Sequence, residues 1–163
     1  MNMKMNANKN RILWSVFTVL CLIFIFSQSL LPADTSGNES SRVVDFLNFI
    51  CEYIGVSVRF TGHFVRKCAH FTEFSVLGFF VFNTFRAYVN KVRFSFIFAP
   101  LTCAAVAVID ECLQLMSKGR ACSVSDMLLD SCGAVFGILI AILCYMILCR
   151  FVDMKNKGDS DGN

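Results

Sequence analysis

The chain has 163 residues, of which 56% are hydrophobic and 17% charged, with a formal net charge of +3. The apolar residues fall in long blocks rather than alternating with polar ones, which excludes an ordinary soluble domain and describes an all-α membrane protein. The net charge is too small, and the Lys and Arg too scattered, for nucleic-acid binding; they mark membrane topology instead.

Taken in order, residues 1–11 form a polar tail carrying Lys4, Lys9 and Arg11. Residues 12–31 then provide about 20 uncharged positions, enough to cross a bilayer. This run is too long for the apolar part of a signal peptide, and no small-residue cleavage site follows Leu31, so it reads as a retained first transmembrane helix. Ser27, Gln28 and Ser29 stand near its far end, where the polar interface is expected. Pro32, Asp34, Thr35, Ser36 and Gly37 give the next connection a turn-rich start. Val43, Phe46, Leu47, Ile50, Tyr53 and Ile54 then recur at helical spacing, as in a short amphipathic helix on the membrane surface or capping the bundle.

Residues 64–88 form the second expected span, polar in its first half (Arg66, Lys67, His70, Glu73). Arg86, Lys91 and Arg93 bracket the turn to the third span at 94–116, where Pro100 implies a kink. A polar connection with Lys118, Gly119 and Arg120 leads to the fourth span at 127–149, and residues 150–163 form a polar tail. Four transmembrane helices place both termini on one side. That side carries nine Lys or Arg against six on the other, which predicts cytoplasmic N- and C-termini. There is no C-x-x-C among the nine Cys, most lie in apolar blocks, and a disulfide framework is not expected.

The acids carry the chemistry. An Asp at a transmembrane helix centre costs roughly 2.5–3.5 kcal/mol on insertion scales, so ionisable residues there mark a function. At helical spacing Arg66, His70, Glu73 and Leu77 share a face of the second span, and Asp126, Asp130, Gly133 and Gly137 share a face of the fourth. Asp110 and Gln114 share a face of the third, with Glu111 a quarter-turn round. Measured by helical rise, His70, Asp110 and Asp130 each lie roughly 9 Å from the outer interface. Gly133-x-x-x-Gly137 lets a neighbouring helix approach closely, so the acidic face turns toward protein.

Two readings compete. In one, the charges pair among themselves and lock the bundle. In the other, they line an outward-facing pocket. Arg66, Lys67, Gln114 and Arg120 would then hold an anionic group, a phosphate or a carboxylate. His70, Glu73, Asp110, Glu111, Asp126 and Asp130 are the candidates for moving a proton. Oxygen ligands such as Glu73, Asp110, Asp126 and Asp130 suit Mg²⁺ or Mn²⁺, yet the spacing matches no metal motif, and the sequence identifies no cofactor. Ser27, Gln28 and His63 are candidates for the pocket border.

Arg66-Lys67-Cys68-Ala69-His70-Phe71-Thr72-Glu73-Phe74, continuing to Leu77-Gly78, resembles a signature of the VanZ-like family of small bacterial membrane proteins. Asp110-Glu111-x-x-Gln114, followed by Gly119-Arg120, Asp126, Asp130, Gly133 and Gly137, resembles a second, and Ser27-Gln28 also fits. Phe74 stands where Tyr is usual, Met116 where an aromatic is common, and Lys118 where Pro often precedes Gly-Arg. The resemblance runs from about residue 12 to 149 and implies a VanZ-like four-helix membrane domain with an envelope-associated role. The family's namesake confers low-level resistance to the glycopeptide teicoplanin, a link that remains one by analogy.

Overall fold

The structure, a computed structural model, describes residues 2–89 and 92–161, and the side chains of all of these except 2–7, 39, 153 and 155–161. Lys91 therefore lies outside the described residues. The described residues form five helices and no strand: α1 (Asn2–Ser29), α2 (Ala33–Tyr53), α3 (Gly62–Tyr88), α4 (Val92–Gln114) and α5 (Val124–Asp161). The stretches read as polar tails continue α1 and α5 as helix.

Four spans were expected, and among the described residues three helices are long and apolar enough to cross a membrane: Asn8–Ser29, Val92–Gln114 and Val124–Val152. The expected second span at 64–88 is helical throughout as α3, but Arg66, Lys67, His70, Glu73, Asn83 and Arg86 keep its apolar character below that of the others. Its surroundings supply the physical reason. α3 packs against α1, α2, α4 and α5, and it buries Phe74, Leu77, Gly78, Val81, Phe82 and Asn83. Of its large apolar residues Phe64, Val76 and Tyr88 are exposed, whereas α1, α4 and α5 present rows such as Ile12, Leu20, Ile23, Leu101, Leu139 and Leu143. A helix wrapped by protein does not need a lipid-compatible surface all round.

Neighbouring contacts fix the directions. Arg11 Nε donates to the Ala87 carbonyl at 2.9 Å, the Thr18 and Thr84 hydroxyls meet at 2.9 Å, and Phe17 stacks on Phe80 at 5.3 Å; α1 and α3 are antiparallel. Phe82 of α3 meets Phe96 of α4 at 5.4 Å edge-on, while earlier on α3 His70 lies beside Asp110, later on α4, so these two are antiparallel too. α3 and α5 run parallel: Gly133 lies against Phe71 and Gly137 against Ser75, and further along Arg86 sits 4.1 Å over the Tyr145 ring. A Cβ added at Gly78, Gly133 or Gly137 would fall on a carbonyl oxygen of the facing helix (Ala134, Phe71 and Ser75 respectively). The two backbones thus touch along two helical turns, which only glycine permits.

The ends of α1 and α4 and the beginnings of α3 and α5 therefore gather at one end of the bundle. Arg11, Arg86 and Arg93 stand at the other, over Tyr88, Tyr145 and Phe94. α2 begins at Ala33, ten residues before the expected onset at Val43. The stretch read as a turn starts the helix instead, because Pro is tolerated at a helix entrance and Asp34 suits the positive end of the dipole. Phe46, Phe49 and Tyr53 remain exposed on α2, the side chains of a helix at a water–lipid boundary.

Gly137→Ala and Gly37→Ala should move stability in opposite directions. At Gly137 the methyl group must push α3 and α5 apart, at a cost of about 1–3 kcal/mol. Gly37 is helical with nothing within 4 Å of an added Cβ, so Ala there gains up to about 1 kcal/mol of helix propensity. Thermal unfolding of both variants in one detergent checks this; equal shifts would contradict the close backbone contact.

Candidate functional site

The polar residues sit where the four helix ends converge. Asp110, on the last turn of α4, is fully buried. Its Oδ1 accepts from Ser29 Oγ at 2.5 Å and its Oδ2 from Gln114 Nε2 at 3.1 Å. Gln114, read from sequence as a ligand-binding residue, is thus engaged in holding Asp110. Ser29 also ties in the α4–α5 turn, because its carbonyl accepts from Ser117 Oγ at 3.0 Å and Arg120 Nη1 at 3.5 Å. The backbone NH of Ala33 reaches the Lys118 carbonyl at 3.1 Å. Gly119, with φ of 78°, supplies the left-handed step that turns the chain into Arg120.

Glu111 is buried on another side of α4, where its Oε2 accepts from the backbone NH of Ser123 at 2.8 Å and so anchors the entrance to α5. On α5, Asp126 pairs with Lys67 at 3.2 Å in a partly exposed contact. Asp130, one turn deeper, is fully buried, and neither of its oxygens has a hydrogen-bond partner among the described residues. His70 Nδ1 stands 4.0 Å from Asp130 Oδ1. One ligand-type atom from each of His70, Asp110 and Asp130 lies within 4.8 Å of the others. The three residues placed at equal depth by helical rise meet in space.

A pocket of about 250 Å³ opens beside this cluster. Its polar lining is Gln28 from α1, Ser36 and Ser40 from α2, Arg66, His70 and Glu73 from α3, and Arg120. Lys67 points away to Asp126. Ser27 Oγ is spent on the Phe24 carbonyl of its own helix, and His63 is exposed at the start of α3. Among the described residues neither Arg66 nor Arg120 pairs with a carboxylate within 4.0 Å, although five acids are close by. Burial, and then the neighbouring Arg66 guanidinium, lower the Arg120 pKa from its ordinary value; a guanidinium nonetheless stays protonated. Two cations thus face one pocket, neither in contact with a carboxylate, although Glu73 lies on the same wall. The N-termini of α3 and α5 add their positive dipole ends at the same level.

An apolar groove of about 590 Å³ adjoins the pocket between α1, α2 and α3. Cys21, Leu47 and Val76 belong to the groove, while Phe24, Val43, Val65, Ala69 and Glu73 line both spaces. Together they offer cations at one end and aliphatic and aromatic walls at the other.

Sequence reasoning missed three contributors. Ser29 looked like one of a polar trio at an interface, and only the packing of α1 on α4 turns it to Asp110. Ser36 was hidden in a stretch read as a turn, and Ser40 lay just beyond it; their i, i+4 spacing was the available signal.

The VanZ/LLP1 family model matches residues 14–145, which include the whole constellation. No curated protein and no solved structure matches the chain. The chain belongs to the VanZ/LLP1 family, and its long apolar helices make it a multi-pass membrane protein.

Ser29→Ala should destabilise the protein by about 1–3 kcal/mol, because a buried carboxylate loses a donor. Combined with Asp110→Asn, the two effects should depart from additivity by roughly 0.5–3 kcal/mol. Unfolding midpoints of the two single variants and the double variant measure this, and strict additivity would count against the bond.

Proposed function

We propose that this member of the VanZ/LLP1 family binds the anionic headgroup of a membrane amphiphile in the outward-facing pocket, with the hydrocarbon chain in the adjoining groove. The carrying observation is the pair Arg66 and Arg120, both on the pocket wall and neither matched by a carboxylate among the described residues. A guanidinium prefers a bidentate phosphate or carboxylate, so both are set for an anion brought from outside. A bundle locked only by its own charges would have spent these groups on Asp or Glu.

The topology belongs to the same proposal. α3 runs opposite to α1 and α4, and at 27 residues it is long enough to cross, so it acts as a fourth span surrounded by protein within a membrane unit of residues 12–149. The positive-inside rule puts the Arg11, Arg86 and Arg93 end in the cytoplasm with both termini. The pocket then opens at the outer face of a bacterial plasma membrane. There the available anionic amphiphiles include phospholipids and lipid-linked cell-wall precursors, and binding the latter would connect the protein to glycopeptide (teicoplanin) resistance. A membrane enzyme acting on such a headgroup is the second reading, favoured by the presence of His70 and Glu73 on the pocket wall.

Protein in phosphatidylcholine nanodiscs, titrated with undecaprenyl phosphate or lysophosphatidate, should bind both more tightly than lysophosphatidylcholine. Arg66→Ala and Arg120→Ala should each weaken binding of the anionic probes by about 10–100-fold, the worth of a charged hydrogen bond. Equal affinity for charged and zwitterionic probes, or unchanged binding by both variants, would contradict the reading.

A further inference from the structure

We propose that His70, Asp110 and Asp130 together hold one divalent transition-metal ion, Zn²⁺ or Mn²⁺. The group draws one residue from each of α3, α4 and α5, with one ligand-type atom from each lying within 4.8 Å of the others. Asp130 is 0% exposed, and both its oxygens lack a hydrogen-bond partner among the described residues. A buried carboxylate left so is costly unless something charged or donating meets it. His70 does not meet it: Nδ1 is 4.0 Å from Asp130 Oδ1, beyond hydrogen-bond length, and is itself buried without a partner. Both groups aim at one space and neither satisfies the other.

A metal ion resolves both deficits. With bonds of about 2.0–2.2 Å, ligand atoms around Zn²⁺ sit roughly 3–3.5 Å apart, so small side-chain rotations close the set. Charge points the same way: Asp110 and Asp130 bring two carboxylates, and among the described residues neither lies within 4.0 Å of a Lys or Arg, so one dication would balance the pair. One imidazole with two carboxylates suits Zn²⁺ or Mn²⁺, while Mg²⁺ and Ca²⁺ favour all-oxygen shells. Ser29 and Gln114 already orient Asp110 as an outer shell does for a metal ligand. Three protein ligands leave a coordination position, and His70, which lines the pocket, puts it within reach of an incoming headgroup oxygen. The triad carries the metal proposal whether or not the pocket takes an amphiphile.

Full-length protein in phosphatidylcholine nanodiscs, stripped with EDTA, reloaded with ZnCl₂ or MnCl₂ and desalted, should retain about one ion per chain by elemental mass spectrometry. Asp130→Asn and His70→Gln should each reduce retention at least about 10-fold, while Glu52→Gln, on the exposed face of α2, should keep the ion. No retention by the wild type, or equal retention by Asp130→Asn and His70→Gln, overturns the proposal. Should those variants fail to fold, Co²⁺ titration of the wild type decides it alone: visible ligand-field bands saturating at one equivalent support the site, and their absence overturns it. Because no anionic lipid is present, failure here is separate from failure of the pocket to bind one.

Discussion

The architecture depends on the backbone contact between α3 and α5. Buried carboxylates can be tolerated only where helices are held close enough to surround them, and lipid offers no hydrophobic force to press helices together. Gly78, Gly133 and Gly137 remove the side chains that would keep α3 and α5 apart. That contact carries His70 and Asp130 to the same depth, and α4 completes the cluster with Asp110. The glycines thus decide where the charges meet, although they carry no charge themselves.

The same arrangement accounts for the unusual composition of α3. Its polar residues make it the least lipid-compatible of the long helices, and it has the most protein around it. α1, α4 and α5 turn Leu, Ile and Phe outward, while α3 faces its neighbours with Phe74, Leu77 and Phe82 and keeps Arg66, His70 and Glu73 for the pocket end. The two ends of the bundle differ in kind. At one, Arg11 and Arg86 rest on aromatic rings and helix carbonyls, as interfacial anchors do. At the other, Arg66 and Arg120 are left facing a pocket, and Asp130 lies unmatched below them. Cationic groups at the mouth and anionic groups beneath are what the two proposals, an anion above and a cation below, rest on.

Much of this was legible from residue order because helical geometry is local. The faces bearing Asp126, Asp130, Gly133 and Gly137, and the equal depth of His70, Asp110 and Asp130, follow from a fixed rise and twist. The family was legible in two motifs, and the match over residues 14–145 establishes it. What depended on packing was not legible. That Lys67 would turn to Asp126, that Gln114 would serve Asp110, and that Ser29 would stand between α1 and α4 are choices made by neighbours distant in sequence. The count of lipid-compatible spans differed because α3 looks half-polar along the chain, and only its enclosure explains that polarity. α2 began early because Pro32 and Gly37, strong turn signals elsewhere, are both compatible with the first turns of a helix.

The central claim is that Arg66 and Arg120 are held apart from the acids in order to bind an anion. The most direct measurement is an experimental structure in nanodiscs containing an anionic amphiphile such as undecaprenyl phosphate. The account predicts density for a headgroup between Arg66 and Arg120, continuous with a chain in the groove beside Cys21, Leu47 and Val76. A pocket without such density, with Arg66 and Arg120 turned onto Glu73 and Asp110 in closed ion pairs, would contradict it.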